Sequence, residues 1–155
     1  MSRIFATSFL ALALAASLSS PARAELAAWD QAKVTALANQ LAEASNSLYS
    51  TFYKQGPPQL ASGQGEDYRS LKQEVRRIQS EAKELAAALG KGDGREDTLD
   101  IYDNLMDIVR DARDHARRLF TGKDVQDKAS AVRQLLNQIT PYYDPDAAPL
   151  QPATR

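Results

Sequence analysis

Apolar residues recur along this chain at alternating steps of three and four, the spacing that keeps one face of an α-helix apolar. Four segments carry the pattern. The first spans about Ala27 to Tyr53, with Val34, Leu37, Leu41, Ala44, Leu48 and Phe52 on its seam, and Gly56-Pro57-Pro58 stops it. The second spans about Glu66 to Leu89, from Tyr68 through Leu71, Val75, Ile78, Ala82 and Leu85 to Leu89, with Gly90 placed to end it. Its outward face is charged, with Arg69, Lys72, Arg76, Arg77 and Lys83 among Glu74, Glu81 and Glu84. The third spans about Glu96 to Phe120, on Thr98, Tyr102, Leu105, Val109, Ala112, Ala116 and Leu119, with Gly122 as its terminator. The fourth spans about Asp124 to Tyr142, on Val125, Ala129, Val132, Leu136 and Ile139, with Asp124 as the N-cap and Pro141 weakening the last turn.

No stretch alternates with the two-residue period of a strand. The last two connections, Gly90 to Arg95 and Thr121 to Lys123, are short enough to force antiparallel neighbours. The pattern predicts an all-α, antiparallel, up-down-up-down four-helix bundle over residues 25–143. The alanines on the seams predict close helix approach and a tight core with little room for a buried cofactor. Residues 144–155, with Pro145, Pro149 and Pro152, read as a flexible, proline-rich C-terminal tail.

The N-terminus follows a different rule. Arg3 precedes the apolar run Ile4 to Leu18, Ser19-Ser20-Pro21 breaks it, and Ala22-Arg23-Ala24 puts small residues at the −3 and −1 positions. This is the layout of a secretory signal peptide over residues 1–24, cleaved after Ala24. The run is shorter than the ~20 residues a spanning helix needs. The expected destination is the periplasm, with secretion as the alternative and no stable membrane insertion after cleavage. Removal takes Arg3 and Arg23 but no acid, so the mature 131 residues hold 17 basic and 20 acidic side chains, a net charge of −3.

Composition then narrows the chemistry. Of 155 residues, 43% are hydrophobic and 25% charged, ordinary globular usage. The absence of cysteine excludes disulfides, thiol catalysis and Cys-based zinc or haem attachment. The near-neutral balance of 19 Lys+Arg against 20 Asp+Glu argues against nucleic acid as a partner. The architecture is similar to that of four-helix periplasmic cytochromes. Here, however, Met106 and His115, the only Met and His of the mature chain, lie nine residues apart on one helix and cannot sandwich one iron. Glu-x-x-His pairs of the di-iron kind are absent as well. No cofactor is expected, and no serine sits in a context that would make a triad with His115, so the expected protein is not an enzyme.

Two constellations remain. On the third helix Asp111, Asp114 and His115 could converge on a metal ion, since Asp111 and His115 stand four apart on one face. The interleaved arginines oppose this through helix-spaced pairs such as Asp107–Arg110 and Asp114–Arg118. The aromatics also gather at the two ends of the bundle. Tyr49, Phe52, Tyr53, Tyr68, Phe120 and His115 fall at one pole, and Trp29, Tyr102, Tyr142 and Tyr143 at the other. Aromatic plugs close bundle ends, and Tyr49, Tyr53, Tyr68, Tyr142 and Tyr143 are the candidate partner-binding residues, the first three beside the long Lys54–Glu66 loop. The functional expectation is a non-catalytic interaction or envelope accessory module, monomeric or homodimeric, contacting a periplasmic protein. The alternative is a small-ligand or metal-binding bundle that uses Asp111 and His115 or an interhelical cavity.

Overall fold

The structure, a computed structural model, describes residues 25–57, 60–119 and 121–153. The segment read as a signal peptide, with its expected cleavage point, Phe120 and the last two residues of the tail lie outside the described residues. Four helices follow in order: α1 (Gln31–Gln55), α2 (Gln64–Lys91), α3 (Arg95–Ala116) and α4 (Lys123–Ile139), the last running into a single 3-10 turn, Thr140–Tyr142. The all-α four-helix bundle is as the apolar pattern predicts. No helix among the described residues is long and apolar enough to cross a membrane.

The ends differ from expectation for local reasons. Asp30 caps α1, its carboxylate accepting from the Lys33 N–H at 3.0 Å, so the helix begins four residues after Ala27. An Asp30→Ala substitution should therefore cost about 1 kcal/mol in a urea titration, and an unchanged midpoint would show the cap to be idle. α2 runs through Gly90 and stops at Gly92, which takes φ +99° and closes onto the Ala88 and Leu89 carbonyls. α3 ends at Ala116, well short of Phe120. Gly122 is not its terminator but the N-cap of α4, which displaces Asp124 from that role into the first turn.

Cross-links between helix ends set the antiparallel order. The Gln31 amide, at the start of α1, donates to the Leu89 and Asp93 carbonyls at the end of α2, both at 3.0 Å. The Leu89 carbonyl also accepts from the Gly92 N–H at 3.1 Å, and the Gln31 amide adds a second donor there while fixing the register. At the same pole Tyr102 of α3 is 1% exposed. It stacks on Tyr143 at 4.3 Å between ring centroids and donates to the Thr140 hydroxyl at 2.9 Å. Thr98 donates to the Gly94 carbonyl at 2.7 Å, which leaves its oxygen to accept from the Tyr143 hydroxyl at 2.8 Å. Trp29 packs edge-on against both Tyr142 and Tyr143. This end is sealed.

The helices do not close into a ring. α1 packs along α2 and α4, and α2 along α1 and α3, but α3 and α4 scarcely approach through their backbones. The tight core predicted from the seam alanines holds between α1 and α2, where Ala38 and Ala82 are fully buried. It fails between α3 and α4. There Val109 and Ala116 are only partly buried and Ala129 is exposed.

Candidate functional site

The gap between α3 and α4 is a groove of about 270 Å³. Its floor is apolar, built by Phe52 of α1 and by Leu71, Val75 and Ile78 of α2. Its walls are small: Val109, Ala112 and Ala116 on one side, Val125, Ala129 and Val132 on the other. Packed helices ordinarily lie about 8–10 Å apart, and small residues favour the near end of that range. Here the Tyr102–Tyr143 ring pair stands between α3 and the end of α4 and holds them apart at the sealed pole. Short side chains further along cannot bridge the resulting space.

The C-terminal tail covers part of the groove. It turns back beside α4, where the Asn137 side chain clips Leu150 from both sides. The Leu150 N–H donates to Oδ1 at 2.8 Å and Nδ2 donates to the Leu150 carbonyl at 3.3 Å. Leu150 is 7% exposed, and residues 150–153 form one wall of the groove. The tail is thus without helix but anchored at one buried leucine. Proline content and polarity gave no sign of this, and the nearest sequence signal is a lone leucine among Ala, Pro and Asp.

Polar groups line the rim. Arg113 of α3 and Arg133 of α4 both face the groove, and no acidic side chain does. Arg133 donates to Ser130 at 2.9 Å. The Nε of Arg113 is buried without a partner, and the side chain takes part in no ion pair among the described residues. A second cavity of about 410 Å³ adjoins at the α1–α2 end, between Tyr68, Gln55 and Leu119, and shares Phe52, Leu71, Thr121 and Val125 with the first.

The residues singled out from sequence lie elsewhere. His115 faces Glu74 of α2, Nδ1 to Oε1 at 2.8 Å. Glu74 is therefore not on the solvated face of α2; it is buried at the α2–α3 contact. Burial pushes its carboxyl above the ordinary range and Asp111 adds to this, while His115 and Arg77 pull it back. Asp114 sits 3.8 Å from Arg117, and Arg118 pairs across to Asp67 at 2.8 Å instead of with Asp114. Asp107–Arg110 forms as expected, at 2.8 Å. Among the described residues no three His, Asp or Glu side chains converge as a metal site, so Asp111, Asp114 and His115 do not assemble into one.

Of the candidate partner-binding tyrosines, Tyr142 and Tyr143 are interior, 7% exposed each, and plug the sealed pole. Tyr49, Tyr53 and Tyr68 are half-buried at the other pole. Tyr49 stacks on Tyr53, Tyr68 stacks on Phe52, and the Tyr53 hydroxyl donates to the Lys72 carbonyl at 3.1 Å. Their rings are thus partly engaged within the chain, and the Tyr53 hydroxyl is bonded there. Compared with known proteins, the chain matches no family model, no curated protein and no solved structure.

Proposed function

We propose that this chain is a non-catalytic ligand-binding bundle of the cell envelope, exported by its N-terminal segment and cleaved after Ala24, that holds an apolar ligand between α3 and α4. The periplasm is the destination and release outside the cell the alternative. The observation that carries the reading is the open apolar groove itself. Val109, Ala116 and Ala129 occupy seam positions yet line the groove, the first two only partly buried and Ala129 exposed. Concave, mostly apolar sites with a few polar groups at the edge are the usual form of a small-molecule site. Protein contact through the tyrosines is less well supported, because Tyr142 and Tyr143 are spent on the interior.

The neutral fluorophore N-phenyl-1-naphthylamine tests the groove directly on the mature chain. Its emission should rise saturably on binding. Ala129→Phe, which places a ring in the groove from an exposed wall position, should weaken binding by about tenfold or more, the effect of a 1.4 kcal/mol loss. A non-saturating signal, or one that Ala129→Phe leaves unchanged, would remove the groove as the site.

A further inference from the structure

The width and charge of the groove say what kind of molecule it takes. We infer that its ligand is a single-chain amphiphile with a carboxylate head, of the fatty-acid class, its tail lying along the α3–α4 floor and its head held at the rim by Arg113 and Arg133. The inference rests on the groove reading above and adds the chemical class of the ligand.

Shape comes first. A helix with side chains is about 10–12 Å across, so a partner helix would have to spread α3 and α4 along their length. An extended chain is much narrower. The protein's own tail shows that such a chain fits, since residues 150–153 line this wall without helix and Leu150 is buried there. The floor beneath, Phe52, Leu71, Val75 and Ile78, carries no polar side chain, which suits a hydrocarbon.

Charge comes second. The mature chain is net acidic, yet the groove carries two arginines and no acid. Asp114, next to Arg113 in sequence, is turned toward Arg117, so Arg113 keeps no carboxylate of its own. A half-buried guanidinium without a counter-ion is a receptor for a planar anion, because its N–H groups match a carboxylate in a two-pronged contact. Arg133 faces it from the opposite helix and has one N–H engaged by Ser130.

The test is displacement of N-phenyl-1-naphthylamine from the full mature chain by decanoate and by 1-decanol, each below its micelle or solubility limit. Decanoate should displace the probe at about 10- to 100-fold lower concentration than decanol, the range of a charge-assisted contact. In Arg113→Gln that preference should fall to near unity, with thermal unfolding monitored to establish that the bundle is intact. Equal displacement by acid and alcohol in the native chain, or a preference that survives Arg113→Gln with Arg133→Gln, would overturn the carboxylate inference while leaving the groove in place. Failure of the groove reading is seen separately, as absence of saturable probe binding before any competitor is added.

Discussion

Replacing Tyr102 by Ala should destabilise the bundle by about 3–5 kcal/mol, the usual cost of removing a fully buried aromatic ring. The size follows from its position. Tyr102 is 1% exposed, stacks on Tyr143 at 4.3 Å and is the spacer between α3 and the end of α4. Truncation leaves a ring-sized void, takes away the stacking partner of Tyr143 and removes the donor to Thr140. Tyr102→Phe separates these effects. It keeps the ring and loses only the hydroxyl. Thr140 continues to donate to the Leu136 carbonyl, at 2.8 Å, so no buried donor is stranded. A cost of about 1 kcal/mol is expected. Urea midpoints of the two variants decide the matter: a Tyr102→Ala cost near that of Tyr102→Phe would mean the pole is loosely packed. Because the ring is a spacer, Tyr102→Ala should also let α3 and α4 draw together, and N-phenyl-1-naphthylamine binding should weaken by more than the loss of folded protein accounts for.

The second large effect belongs to His115. Its removal takes away the group in direct contact with the buried Glu74 carboxylate, leaving only the longer-range pull of Arg77, and Oε2 already has no hydrogen-bond partner. His115→Ala should cost about 1–3 kcal/mol at neutral pH, with partial solvent access keeping it below the value for a fully buried pair. The pH dependence has a definite sign. Burial holds the folded-state Glu74 carboxyl above its ordinary value of 4.5, so the folded chain binds this proton more tightly than the unfolded chain. The stabilisation from this group is fully present below the ordinary carboxylate range and is lost as pH rises through the raised value. Without His115, which pulls the Glu74 carboxyl down, that dependence steepens. The His115→Ala deficit should therefore shrink on acidification, as Glu74 becomes neutral and needs no partner. Adding Glu74→Gln to His115→Ala should recover most of the loss at neutral pH. A deficit that is the same at acid and neutral pH would show that His115 acts by packing alone.

Much of the fold was legible because helix periodicity is local. Every residue that steps by three or four onto one face declares its helix without reference to any other segment. The register was less legible where a polar residue is buried. On α1 the interior residues are Val34, Leu37, Ala38, Leu41, Ser45, Leu48 and Phe52. Reading by hydrophobicity selects Ala44 in place of Ser45, since nothing in sequence marks that serine as interior. Glu74 misleads in the same way. A carboxylate among arginines and lysines reads as solvated, and only the arrival of His115 from α3 makes its burial tolerable. Asp111 and His115 illustrate the complementary case. Spacing on one helix brings Asp111 and His115 to the same side, but the neighbouring helix offered His115 a closer partner.

By itself, then, the sequence determined four helices, their antiparallel order and the aromatic closure of the poles, because three- and four-residue spacing and short connections act within or between adjacent segments. The proposed export segment is likewise read from its linear run of side chains alone. Tertiary structure decided whether the ring of helices would close. The alanines of α3 and α4 suit close approach, but the Tyr102–Tyr143 pair from positions 41 residues apart holds the helices open, and Leu150 returns to fill only part of the space. A groove is a property of what fails to meet, and no local pattern records that. The assignment of Glu74 to His115, and of the unpaired Arg113 to the groove, follows from that same placement of α3 between its neighbours.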